Sequence, residues 1–402
     1  MRKYFLIAMA FIALPMSAMG QLIPLLPEGT KNQLWLDPDR VFDYNQYEKS
    51  RWGAGLQYDI NFDTTAQHHM FKMLSLGGYG AYGYADQRWK WGVKADLQWC
   101  SKRQIHSYME FSHDLSAAAS RILSSPALNI LQAPASIMTR LFSDKWHLAW
   151  GFSDRPAQRL IESFELHLSH ERPLYDSLGN IFYPTNDEYN ELTTYNFAEL
   201  QFTIEHTSGW SGRVTLGTYS RGASGTAEAF LRTLVQYKRT HHLSFLELQL
   251  FGQGGIVEGT DGVPYSRMFD LGGSWSSPLF LNHALLTARQ NEFTTNIFAL
   301  VTMKLTTTEP LFSFCNSMIA MGSSPRPFVL CNAAWGQTSD SHYQAPDKGI
   351  AEVGAGIDGL VVWGQISWGL GVAYRLTPES GAYHFTDRKD NMTLLLSAYL
   401  NL

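Results

Sequence analysis

The stretch FDLGGSWSSPLFLNHALLTARQNEFTTNIFALVTMKLT, Phe269 to Thr306, decides how the rest of the chain reads. In its second half Phe293, Thr295, Ile297, Ala299, Val301, Met303 and Leu305 alternate with Glu292, Thr294, Asn296, Thr302 and Lys304. A period of two with one apolar and one polar face is the mark of a β-strand. From Phe293 to Leu305 such a strand rises roughly 40 Å and, tilted by about 45°, crosses roughly 28 Å, close to the apolar band of a membrane-spanning barrel. The first half cannot continue a strand, because Gly272 and Gly273 are followed by Trp275 and Pro278. The stretch therefore predicts a large structured loop feeding a membrane-length strand.

The same sorting of side chains repeats on both sides of it. Trp89, Trp91, Val93, Ala95, Leu97 and Trp99 share a face opposite Lys90, Lys94, Asp96, Gln98 and Cys100. Trp146, Leu148, Trp150 and Phe152 oppose Lys145 and His147, and Phe164, Leu166 and Leu168 oppose Glu165 and His167. Between Phe197 and His206, Ala198, Leu200, Phe202 and Ile204 face away from Glu199, Gln201, Thr203 and Glu205. Glu247 falls in a further alternating run, Leu243 to Phe251. A Lys or Arg aimed at mid-bilayer lipid costs about 2–4 kcal/mol, so lipid outside and a wet lumen inside account for this division.

The N-terminus MRKYFLIAMAFIALPMSAMG has two basic residues, an apolar run and small residues at Ala18 and Gly20. It reads as a secretory signal over residues 1–20, cut after Gly20, since the apolar run is shorter than the ~20 residues a helical span needs. No later run is long enough for a transmembrane helix. Of 31 Lys and Arg, two fall in the leader, leaving 29 against 36 Asp and Glu, a formal charge of −7. That excludes a basic nucleic-acid footprint. The chain is rich in Trp (12), Tyr (19), Phe (23) and Gly (33), which suits aromatic girdles and glycine-bearing barrel strands. Three cysteines, Cys100, Cys315 and Cys331, imply no disulfide framework; a Cys315 to Cys331 bridge and free thiols both remain open.

The expected fold is all-β: an antiparallel transmembrane β-barrel over residues 50–402, behind a periplasmic lead-in or short plug at residues 21–49. Fifteen strands can be read directly, ten before the loop and five after it, the last running from Asn391 to Leu402. Barrels with both ends in the periplasm need an even number, and an extracellular loop near Gly272 needs an odd number before it. A further strand is therefore expected between Ala117 and Leu141 or around Leu34 to Tyr44. Sixteen is the preferred total, with fourteen as the alternative.

Four pieces carry a resemblance: RVFDYNQYEKSRWGAGL, LSLGGYGAYGYADQRWKWG, FDLGGSWSSPLF with NEF, and GIAEVGAGIDGL. They resemble the barrel region of an uncharacterised Gram-negative outer-membrane family whose longer members carry a carboxypeptidase-regulatory-like domain ahead of the barrel. The resemblance covers most of Arg40 to Leu402. More remotely, the order from Phe269 onward is similar to BamA-type surface-antigen barrels, in which a loop with a Gly-Gly turn and an arginine motif enters the lumen. Phe269, Gly272, Gly273 and Glu292 occupy comparable places, while SWSSP stands where the arginine would be. The resemblance implies a lumen loop at residues 269–290, outer-membrane lipid around the barrel and insertion by the outer-membrane assembly machinery. It does not carry insertase activity.

Candidate chemistry is sparse. His68 with His69, and His241 with His242, read as turn residues rather than metal ligands, because neighbours on a strand point apart. Ser224 lacks the glycine two residues on that a nucleophile elbow requires. Ser112 or Ser169 with His113, His167, His170 or His206 would be the elements of a barrel acyl hydrolase, and no triad can be drawn from spacing. Lys90, Lys94, Asp96, Glu165, Glu199, Glu205 and Glu247 are expected to face the lumen, the glutamates tuning cation preference. No cofactor or metal is expected. A structural or transport-related barrel is the leading expectation, a lipid-modifying barrel enzyme or a secreted β-sandwich binder the alternatives.

Overall fold

A computed structural model describes residues 22–27, 31–37, 42–45, 49–62, 70–99, 105–117, 142–157, 160–174, 193–222, 225–272, 285–288, 292–310, 324–340, 343–363, 366–377 and 392–400. The alternating runs become strands. β1 (Ile23–Pro24), β2 (Gln33–Asp37), β3 (Phe42–Asn45), β4 (Lys49–Asn61), β5 (Phe71–Gly83), β6 (Trp89–Trp99), β7 (His106–Ala117) and β8 (Phe142–Ala157) come first. β9 (Leu160–Pro173), β10 (Tyr195–His206), β11 (Trp210–Arg221), β12 (Glu228–Leu243) and β13 (Leu246–Gly259) follow. Two short strands, β14 (Phe269–Asp270) and β15 (Thr294–Thr295), precede β16 (Ile297–Thr307), β17 (Arg326–Gln337), β18 (Ile350–Trp363), β19 (Ile366–Arg375) and β20 (Met392–Leu400).

From β4 to β13, and on from β16 to β20, each strand pairs antiparallel with the next, and β13 pairs with β16 across the loop. β2 and β3 both run along the other edge of β4, Trp35 opposite Gln57 and Asp43 opposite Arg51. They are two pieces of one stave, separated by residues 38–41, which include Pro38, a residue with no amide hydrogen for a ladder. Leu34 to Tyr44 thus supplies the strand that parity required. The other candidate place, 118–141, lies outside the described residues. Among the described residues the staves number sixteen, eleven ahead of the loop and five after it. Residues 33–37 and 42–45 of the expected lead-in therefore belong to the barrel sheet, and β1 pairs with β2.

Two strand boundaries differ from the sequence reading. The strand expected from Phe293 begins at Ile297, because Thr294 and Thr295 pair instead with Asp270 and Phe269. The strand expected over 361–376 begins at Ile366, residues 361–363 completing β18 beyond a register shift. Gly359 lies at that shift with φ 75°, and a Cβ there would stand 2.5 Å from the Ser324 carbonyl oxygen, so only glycine fits.

Each stave sorts its side chains by face. On β10, Leu200, Phe202 and Ile204 are exposed while Glu199 and Thr203 are buried, and on β16 Ala299, Val301 and Met303 alternate with buried Leu300, Thr302 and Lys304. The inner face of β16 is nevertheless not polar throughout. Phe298 and Leu300 join Phe197, Phe230 and Phe251 in a core that also takes Phe269, Leu271, Leu285 and Phe293. Apolar inner residues of a barrel sheet are buried only where something covers them, and here Phe269, Leu271, Leu285 and Phe293 do so.

Candidate functional site: a loop seated in the lumen

The chain leaves β13 and makes a single 3-10 turn, Tyr265–Arg267, that aims Arg267 at the wall. Its guanidinium donates from Nε and Nη2 to the two carboxylate oxygens of Glu199 on β10, each at 2.9 Å. Nη2 and Nη1 also donate to Glu171 on β9, at 2.9 and 3.1 Å. The same guanidinium lies 3.7 Å from the centre of the Phe197 ring. Glu171 further accepts from Ser169 Oγ at 3.2 Å and pairs with Lys145 at 3.3 Å. Burial alone would lower the pKa of Arg267, but the charges of Glu171 and Glu199 outweigh it and raise the value, so the cation is fixed.

Beyond Arg267 the loop builds a small sheet of its own. Phe269 pairs with Thr295 and Asp270 with Thr294, and the Leu271 amide donates to the Phe293 carbonyl at 2.9 Å. The Phe269 ring is fully buried, 4.8 Å from Phe298, with the Arg232 guanidinium 4.5 Å above it. Asp270 accepts the Gly272 amide at 2.9 Å, and Gly272 bridges to Leu285. Gly273, Trp275 and Pro278 lie outside the described residues.

A second clamp holds the returning half of the loop. Glu352, on β18, accepts the amides of Leu286 and Thr287 at 2.8 Å each, the Thr287 hydroxyl, and Asn332 Nδ2 at 3.2 Å. Arg375, on β19, donates to Thr287 Oγ1 at 3.0 Å, to its carbonyl at 3.1 Å and to Glu292 at 3.4 Å. The loop thus strings the β9–β10 wall to the β17–β19 wall. Arg267, Glu352 and Arg375 were not singled out from sequence. Arg267 carried a signal, being the only Lys or Arg between Arg239 and Arg289.

The remaining expected residues, Lys90, Lys94, Asp96, Glu165, Glu205 and Glu247, lie on the inner face of their strands. Lys90 is buried against Asp86 at 2.6 Å, Lys94 stands 4.9 Å from the Tyr108 ring, and Asp96 lies 3.2 Å from His106. Glu165 meets His167 at 3.0 Å and receives the Tyr108 hydroxyl, and His167 in turn is 2.9 Å from His147. Glu247 accepts from Gln249 at 2.6 Å, and Glu205 is half-buried opposite Ser211. Of the glutamates expected to form a negative wall, Glu165 meets His167 and Glu199 meets Arg267. A carboxylate withdrawn from water needs such a partner.

The residues offered for acyl transfer divide between the two faces. His113 and His170 lie on the outer face, while Ser112, Ser169 and His167 lie on the inner face, both serines in register with His147, and the Ser169 hydroxyl donates to Glu171. His206, exposed, bonds Ser208 at 2.6 Å. Among the described residues no cluster of three or more metal-ligating side chains occurs. His242 stands at the end of β12, 3.7 Å from Glu247; His68 and His69 lie outside the described residues. Cys331 is a free thiol on β17.

No protein-family model and no curated protein matches the chain. Solved structures do match. BamA from Haemophilus ducreyi lacking POTRA domains 1-3 aligns over 98% of this chain and 77% of its own at TM-score 0.50 and 10% identity. The fold is that of an outer-membrane β-barrel. CdiB from Acinetobacter baumannii aligns over 92% of this chain at TM-score 0.42 and 10% identity, and this chain spans 60% of its length. OccK1 (OpdK) from Pseudomonas aeruginosa aligns over 89% and 95% at TM-score 0.32 and 10% identity. Identities this low carry the architecture alone.

Proposed function

We propose that the chain is an outer-membrane barrel with a structural or transport-related role, its lumen closed in the resting state by the loop over residues 269–290. The observation that carries this reading is the pair of clamps: Arg267 on Glu171 and Glu199 at one wall, Glu352 and Arg375 on Thr287 at another. A loop held by buried, charge-assisted bonds at both ends is a fixed partition. In this reading the leader 1–20 exports the chain and is removed after Gly20, and the barrel takes in β2 and β3 of the expected 21–49 lead-in together with residues 50–402. Outer-membrane lipid surrounds it and the assembly machinery inserts it. No cofactor, metal or nucleic acid has a part.

The test is single-channel recording in planar bilayers. The triple variant Arg267→Met, Glu171→Gln, Glu199→Gln removes one clamp and leaves only the half-buried Lys145 without its partner. It should open frequent conductance steps that the parent protein lacks. Equal conductance in the two would remove the partition role, and recovery of the unmodified protein as a detergent-free soluble species would reject a barrel in the membrane altogether.

A further inference from the structure

On the outer face the ladders line up a polar row that the barrel fold alone does not require. Trp91, His113, Trp146, His170, Asn196 and Ser220 stand side by side from β6 to β11. His113 stacks on Trp146 with ring centres 4.3 Å apart, and His170 Nδ1 lies 2.7 Å from Asn196 Oδ1. One step beyond this row, Asp144 stands opposite exposed Arg172. Asp144 lies 2.7 Å from His113 and 3.4 Å from Arg88, whose side chain is 49% exposed.

The row can be placed against the membrane. Along β8 the outer face carries Trp146, Leu148, Trp150 and Phe152 between Asp144 and Asp154, and along β9 it carries Phe164, Leu166 and Leu168 between Glu162 and Arg172. Ten residues of strand rise roughly 33 Å, which a tilt of about 45° reduces to roughly 23 Å, near the apolar band of such barrels. Asp144, Arg88 and Arg172 therefore sit at one edge of that band. It is the edge from which the connections 118–141, 174–194 and 260–296 depart, whereas the opposite edge carries 158–159, 207–209 and 244–245 and a single long connection, 308–325. In outer-membrane barrels the long loops are extracellular.

We infer that the extracellular edge of β6–β9 binds the phosphate-bearing headgroup of an outer-leaflet lipid. Arg88 and Arg172 supply the charge, exposed Trp89 stands beside Arg88, and exposed Trp146 lines the lipid one row beneath. Charge complementarity decides the occupant: two exposed arginines at headgroup depth, one 3.4 Å from the single carboxylate of Asp144 and the other in register with it, complement a phosphate monoester and not an acyl chain. Trp side chains at this depth present an apolar body to the chains and an N–H to the headgroup. Asp144 holds Arg88 in place and competes with the ligand for it.

Native mass spectrometry of the full-length barrel in detergent, titrated with diphosphorylated lipid A, tests this. The parent protein should retain one lipid, and Arg88→Ser and Arg172→Ser should each weaken retention about five-fold. Arg172→Lys should keep most of it, and Asp144→Asn should strengthen it by freeing Arg88, an outcome that general loss of structure does not produce. Arg239→Ser, at the far end of β12, should leave it unchanged. Unaltered retention in the Arg88→Ser, Arg172→Ser double variant would overturn the site. Displacement of the lipid by low millimolar inorganic phosphate would overturn the lipid assignment in favour of a free anion. Neither result depends on whether the lumen loop closes the barrel.

Discussion

Arg267 and Glu171, 96 residues apart in the chain, meet inside the barrel through two hydrogen bonds, 2.9 and 3.1 Å long. With Glu199 they form a buried triad of one cation and two anions, relieved by Lys145 on Glu171. Breaking such a set from one side is costlier than removing it whole, because the stranded charge keeps its desolvation penalty. Arg267→Ala should lower the unfolding free energy by about 3–5 kcal/mol. Adding Glu171→Gln and Glu199→Gln should return most of it. Urea titration of the barrel in lipid vesicles, followed by heat-modifiable gel migration, reads both values, and a triple variant no more stable than Arg267→Ala would refute the account.

Glu352 is expected to be the stronger hold on the returning half of the loop. It accepts four donors, among them two backbone amides that have no other way to be satisfied inside the wall. Glu352→Gln turns an acceptor into a donor facing those amides, for a loss of about 1–3 kcal/mol at each unsatisfied group. The loop should then become cleavable by external protease while the barrel stays heat-modifiable. A loop as resistant as in the parent protein would show that β14–β15 hold it without the clamp.

How much of this was legible in the sequence follows from what each feature depends on. Lipid-facing and lumen-facing residues differ in polarity, so alternation exposed nearly every stave, from Trp89–Trp99 to Met392–Leu400. Parity of strand count even pointed to the stave built from β2 and β3. Alternation fails where both faces meet protein. Phe298 and Leu300 broke the pattern because the loop covers them, and Thr294 and Thr295 fit it although they belong to the loop. The site was less legible still. Glu292 stood out only through the resemblance to BamA-type barrels, whereas Glu352 and Arg375 sit in unremarkable alternating runs and acquire their role only from the fold that brings Thr287 between them.

Gly255 offers a steric test of the loop seat. A Cβ there would stand 2.8 Å from the Phe298 ring and 2.9 Å from that of Phe269, so Gly255→Ala must displace the contact that seats Phe269 on the wall. Overpacking of this kind costs about 1–3 kcal/mol. Gly252, three residues earlier, has open space around its would-be Cβ, and Gly252→Ala should be neutral. Conductance should rise in the first variant and not in the second; equal behaviour would mean that the Phe269 seat gives way without consequence.

The assignment of faces is tested most directly on β10, where Leu200 and Gln201 are neighbours that point to opposite sides. Leu200 is exposed on the lipid side, and Gln201 stands opposite Glu165 on the inner face. Leu200→Arg places a guanidinium in the apolar band, at about 2–4 kcal/mol if it lies near the bilayer midplane. Gln201→Arg places the same group beside a carboxylate in the polar interior, where burial is offset by a partner. Folding yield into vesicles should fall steeply for the first and little for the second. Because the two substitutions add the same side chain one residue apart, propensity and net charge cannot explain a difference between them. A reversal of the order would mean that β10 is threaded the other way round, with Glu199 and Thr203 against lipid.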